Sequence, residues 1–147
     1  MSRLYIWVLC LFGCDQLTKY MARNQLTASG IDFGLFRFDL VYNTGAAYGL
    51  FSGFSNVLML LGIVVVLYLV YALPSLASTR LDGIAYVCLL AGAMGNTVDR
   101  IVMGKVTDFI NIYIIPVFNV ADILLNIGII GLILGAFLHG KKDRHST

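Results

Sequence analysis

The chain has 147 residues, 59% of them hydrophobic and only 12% charged, with a formal net charge of +2 and a mean hydropathy of +0.87. Soluble domains carry about 25% charged residues, so the composition excludes one and points to a single integral membrane domain over residues 1–147. The small net charge gives no reason to expect a nucleic-acid partner.

Four apolar stretches approach the roughly 20 residues that a bilayer-spanning helix needs: 4–22, 54–73, 82–101 and 119–138. The expected fold is therefore membrane all-α, with four transmembrane helices. The first stretch follows a short basic start and runs through Leu11-Phe12-Gly13-Cys14. That outline suggests a cleavable signal ending on cysteine, but Phe12 stands where small residues are preferred, so the segment is read as a retained helix. Asp15 and Lys19 share one of its faces at i, i+4 spacing. Cys10, Cys14 and Cys88 all fall inside predicted spans, and no histidine lies near the first two. Neither a disulfide framework nor a metal site is expected.

The connector over 23–53 is too long for a plain helical hairpin. Within it Phe36, Phe38, Leu40 and Tyr42 alternate with Arg37, Asp39, Val41 and Asn43, a period of two that predicts a strand. Ser52 and Ser55 close the connector without a matched base. The second span is expected to end at Pro74. The third carries Asn96, Asp99 and Arg100 at its far end. In the connector over 102–118, Val106, Asp108 and Ile110 share one face of a second predicted strand, so a small extracytoplasmic β-rich element is expected. Asn119 and Asp122 occupy the first turn of the fourth span, where the helix dipole favours an anion. Gly128, Gly131 and Gly135 follow at spacings that suit close helix packing.

Basic residues orient the chain. Arg3, Arg80, Lys141, Lys142 and Arg144 fall on one side, and Arg23, Arg37 and Lys105 on the other. This favours both termini in the cytoplasm, with His139 and His145 at that surface. Asp15, Lys19, Asn43, Asn96, Asp99, Arg100, Asp108, Asn119 and Asp122 then converge near the extracytoplasmic face. An ionisable residue at membrane depth is a functional-site hypothesis by default. Asp15–Lys19 and Asp99–Arg100 read first as neutralised structural pairs, whereas Asp108 and Asp122 lack an adjacent cation. Two carboxylates about 4 Å apart repel by roughly 4 kcal/mol at an effective dielectric near 20. They then share one proton, so one carboxylate activates water while the other protonates a carbonyl. A proton relay through Asp15, Asp99 and Asp122 would also need polar groups in the cytoplasmic half, which is almost wholly apolar. An assembly subunit packing through its glycines leaves Asp108 and Asp122 unexplained.

Five blocks carry a resemblance: Asp15-Gln16-Leu17-Thr18-Lys19, Asn43-Thr44-Gly45-Ala46-Ala47, Gly92 to Arg100, Val106-Thr107-Asp108-Phe109-Ile110 and Phe118-Asn119-Val120-Ala121-Asp122. In order and across 4–138, they resemble the bacterial lipoprotein signal peptidase (signal peptidase II) family. The resemblance implies a metal-free, cofactor-free aspartyl endopeptidase of the bacterial inner membrane. Its expected partners are membrane lipids and a prolipoprotein, cut on the N-terminal side of a diacylglyceryl-modified cysteine; a monomer is expected. By position Asp108 and Asp122 look like the catalytic dyad. Asn43, Asn96, Arg100 and Asn119 look like orienting residues. Asp15, Lys19 and Gly45 look like supporting residues, and Asp99 is expected to hold Arg100. Phe36, Phe38 and Tyr42 are expected to rest on the membrane. The sequence departs from the family pattern at Ala91, at Ile123 and in the short third connector.

Overall fold

A computed structural model describes residues 2–27, 29–45 and 53–143. The chain order is α1 (Ser2–Gln25), β1 (Ile31–Asp32), β2 (Arg37–Asn43), α2 (Ser55–Leu76), α3 (Arg80–Met103), β3 (Val106–Asn111) and α4 (Val120–Asp143). Ala46, Ala47, Ser52, Arg144 and His145, all named above, lie outside the described residues, as does the side chain of His139.

Among the described residues α2, α3 and α4 are long and apolar enough to cross a membrane. The fourth expected span, α1, has 24 residues, but Asp15, Gln16, Lys19, Arg23 and Asn24 make its second half polar. Helix α3 is the hub: it packs against α1, α2 and α4. Its Val87, Cys88, Leu90 and Ala91 form the core with Val8, Leu69, Leu73 and Leu124. It starts on a capping box, in which Thr79 and Asp82 satisfy each other's backbone N–H groups. It stops at Gly104, whose φ of 70° suits glycine.

Helix α2 does not end at Pro74 but continues to Leu76. Proline has no N–H for the carbonyl four residues back, which is that of Val70. The Tyr5 hydroxyl of α1 donates to the Val70 carbonyl at 2.7 Å instead. The orphan acceptor thus becomes a tie between two helices. The glycines of α4 face α3. A side chain at Gly128 would meet Leu89 and the Ala85 carbonyl, one at Gly131 would meet Ala85, and one at Gly135 would meet Asp82. These close approaches use the glycines inside the chain, leaving nothing of that stripe for an assembly partner.

The three strands form one antiparallel sheet in the order β1-β2-β3. Both expected strands are present. The simple alternation of β2 is not kept, because the register against β3 shifts between Phe38 and Val41. After the shift Val41 pairs with Asp108, Tyr42 with Thr107 and Asn43 with Val106. Side chains alternate along a strand, so the shift places Asn43, not Tyr42, on the Asp108 side. Phe33, Phe36 and Phe38 cluster together, with ring centroids 4.9–5.8 Å apart.

Candidate active site

The sequence of α4 builds its own first turn. Asn119 is the residue before the helix, and its Oδ1 accepts from the Asp122 N–H at 3.0 Å while Asp122 Oδ2 accepts from the Asn119 N–H at 3.1 Å. This reciprocal cap leaves the Asn119 Nδ2 free to donate to Asp108 Oδ1 at 2.6 Å. One residue therefore holds both carboxylates, Asp108 from the sheet and Asp122 from the helix. Asn43 Nδ2 donates to Asp108 Oδ2 at 3.1 Å, and Asn96 Nδ2 donates to Asp122 Oδ1 at 2.8 Å. Asp108 is 2% exposed and Asn119 fully buried. Burial first, and the charge of Asp122 second, push the Asp108 carboxyl up to about 6, against the opposing bonds from Asn43 and Asn119 and the Lys19 charge.

Behind this pair lies a buried ion network. Lys19 and Asp15 are both 0% exposed. Lys19 Nζ stands 3.0 Å from Asp15 Oδ2 and 3.7 Å from Asp99 Oδ2, and donates to Asn96 Oδ1 at 3.0 Å. Asp15 Oδ1 accepts from the Ala121 N–H at 2.8 Å, binding α1 to the turn that carries Asp122. Buried charges persist only when paired and hydrogen-bonded, and here each is both.

Asp99 makes no hydrogen bond or ion pair with Arg100 among the described residues and acts on it only through its charge, the weakest of three after Asp122 and Asp108. It faces Lys19 and Arg23, the latter at 3.7 Å, and accepts from the Thr107 N–H at 2.9 Å. Adjacent helical residues do not face each other, so Arg100 turns instead to the loop after β2. Its Nη2 donates to the Gly45 carbonyl at 3.0 Å, while the Gly45 N–H donates to Asn43 Oδ1 at 2.9 Å. The buried Arg100 Nε has no hydrogen-bond partner among the described residues. Lys105 is not with the carboxylates; its ammonium lies 3.6 Å over the Tyr42 ring. Ser55 is tied up as a donor to the Gly104 carbonyl.

Three network members were not picked out from the sequence. Arg23 continues the Asp15, Lys19 face by another i+4 step, a signal that was available. Gln16, donating to Asp15 and the Gly95 carbonyl, and Thr107, accepting from Arg23, stand inside two of the quoted blocks, but their spacing gave them no role. Asn43, Asn96, Arg100, Asp108 and Asp122 line one end of a cavity of about 1020 Å³, whose other walls include Leu61 and Val65 of α2 and Ile127 and Ile130 of α4. A polar end with paired carboxylates and a long apolar wall suits an extended apolar chain presenting one carbonyl to water and acid.

A family model described as signal peptidase (SPase) II matches residues 7–138. The chain is 40% identical over 149 residues to the lipoprotein signal peptidase of Microcystis aeruginosa, covering 94% of this chain and 95% of that protein. It is 41% identical over 146 residues to that of Thermosynechococcus vestitus, covering 92% of each. A solved structure described as a bacterial membrane enzyme, determined in meso at 2.3 Å, superposes with a TM-score of 0.86 at 28% identity. That match covers 97% of this chain and 92% of the other.

Proposed function

Since the chain belongs to the signal peptidase II family of aspartic proteases, we propose that it removes the signal peptide of prolipoproteins with Asp108 and Asp122 as its catalytic pair. The cut falls on the N-terminal side of a diacylglyceryl-modified cysteine. The observation that carries this reading is the double use of Asn119, which bonds Asp108 through its side chain while capping the helix turn of Asp122. With one proton between the carboxylates, Asp122 takes a proton from water as the hydroxyl oxygen attacks the scissile carbonyl. Asp108 gives its proton to the carbonyl oxygen, forming a neutral tetrahedral diol. Collapse of the diol breaks the C–N bond as Asp122 returns a proton to the leaving nitrogen and a diol hydroxyl gives its proton to Asp108, which restores the singly protonated pair. Asn43 and Asn96 orient the carboxylates, and Arg100 holds the Gly45 loop against the peptide.

In this arrangement α1 is a fourth span beside α2, α3 and α4. Both termini are cytoplasmic, the carboxylates lie near the extracytoplasmic face, and the enzyme works as a monomer. The apolar wall of the cavity receives the signal helix, and the lipid on the cysteine stays in the bilayer. The exposed ring of Phe36, clustered with Phe33 and Phe38, rests on the membrane surface, while the register shift turns Tyr42 to the other face of the sheet, against Lys105.

The test is cleavage of a diacylglyceryl-modified prolipoprotein in detergent by wild type, Asp108→Asn and Asp122→Asn, with equal folding as the control. Each substitution is expected to lower turnover by about 10²–10⁴-fold, the scale of a lost acid or base. Near-wild-type turnover in either variant would falsify the pair.

A further inference from the structure

At the end of the bundle far from the carboxylates, a second cavity of about 540 Å³ opens between the first turns of α1 and α3. Leu4, Trp7 and Leu11 wall it on one side and Ile84 and Val87 on the other, with Arg80 at its mouth. Gly83 leaves the floor open, in space where a Cβ would make only ordinary contacts with Leu4 at 3.7 Å and Ala77 at 3.8 Å. Trp7 is 62% exposed and Ile84 59%. Arg80 is exposed, and its side chain has no hydrogen-bond or ion-pair partner among the described residues. Along α3, Arg80 and Asp99 are separated by 19 residues, about 28 Å at the helical rise, so the groove belongs to the opposite membrane surface. Helix α4 reaches that same level where Gly135 approaches Asp82. Arg3, exposed at the start of α1, adds a second cation at this surface.

We propose that this groove binds one anionic phospholipid of the leaflet opposite the carboxylates. The Arg80 guanidinium takes the phosphodiester, and an acyl chain lies between Trp7, Leu11 and Ile84. The charge argues for an anionic headgroup. A forked guanidinium matches phosphate oxygens, basic pockets between membrane helices bind anionic headgroups, and no acid pairs with Arg80 among the described residues. The length of the apolar wall argues for a lipid over a soluble phosphate. The inference rests on the proposed placement of α1 as a span.

Trp7 is the single tryptophan of the chain, so its fluorescence reports on the groove. The protein is placed in zwitterionic nanodiscs containing the same low mole fraction of either dibromo-acyl phosphatidylglycerol or dibromo-acyl phosphatidylcholine. Apparent enrichment at Trp7 is expected to be about fivefold greater for the anionic lipid, the factor for one basic side chain near a charged surface. It should vanish in Arg80→Gln. Equal quenching by the two lipids, or selectivity kept in Arg80→Gln, would overturn the groove assignment while leaving α1 in the bilayer. Quenching by neither lipid would overturn the span reading of α1 and the groove with it.

Discussion

Lys19 Nζ donates to Asn96 Oδ1 at 3.0 Å, and this bond decides which way the Asn96 amide points. An ammonium has three donors and no acceptor, so Asn96 must turn its oxygen to Lys19 and its Nδ2 toward Asp122. A fully buried cation on α1 thereby aims a donor at a carboxylate on α4.

Replacing Lys19 by Met strands Asp15 in the interior and leaves Asp99 with Arg23 as its one ion-pair partner among the described residues. Breaking a buried pair from one side costs about 3–5 kcal/mol, so Lys19→Met is expected to unfold at a much lower temperature in detergent. Adding Asp15→Asn should restore part of the loss. A Lys19→Met protein that melts with wild type would show that the network does not anchor the bundle.

With the Asp108 carboxyl pushed up to about 6 by burial and by Asp122, the singly protonated pair is lost as pH rises through that value. The kcat/KM profile, which reports groups of the free enzyme, is expected to fall above about pH 6. It should approach a tenfold drop per pH unit. A profile flat from pH 5 to 8 would remove Asp108 as the proton donor.

The same shift has a stability consequence of the same sign at lower pH. Asp108 holds its proton in the folded state up to about 6, against an ordinary value of 3.8, so stability declines as pH rises through that window. At neutral pH the loss is on the order of 3 kcal/mol. Asp108→Asn is therefore expected to melt higher than wild type at pH 7 and to match it near pH 4. The comparison needs only thermal unfolding at the two pH values.

Two glycines that look alike in the sequence should respond differently. A methyl at Gly95 would strike the Asp15 carboxylate and lie 3.1 Å from Ala121 Cβ, and Asp15 is pinned by Lys19 and the Ala121 N–H. Overpacking of this kind costs about 1–3 kcal/mol. A methyl at Gly62 meets chiefly the Thr97 hydroxyl, with the other Thr97 atoms at 3.4 Å, and a rotation relieves it. Gly95→Ala is expected to lose folded protein in size-exclusion chromatography, whereas Gly62→Ala should not.

Local spacing made much of this site legible. The i, i+4 step gave Asp15–Lys19, and the i, i+3 step gave the first turn of α4. Hydropathy brought residues from three helices and two connectors to one level. What spacing cannot carry is a choice among partners of equal charge. Asp99 was adjacent to Arg100, yet helical geometry turned it to Lys19 and Arg23. Nor does alternation reveal an extra residue in a strand. The shift between Phe38 and Val41 moved Asn43 onto the Asp108 side, and only pairing with β3 defines it. Pro74 likewise reads as a helix stop until Tyr5, far away in sequence, supplies the missing donor.

The capping turn at Asn119 also sets a schedule. Asp15, Asn96, Asp108 and Asp122 emerge from the ribosome in that order, and the last arrives only with the opening turn of the final helix. Until α4 enters the bilayer, Asp108 has no Asn119 beside it and Asp15 has no Ala121 N–H to hold. A half-made chain therefore lacks both Asp122 and the Asn119 amide that Asp108 accepts from, so the proposed pair exists only once the bundle is complete.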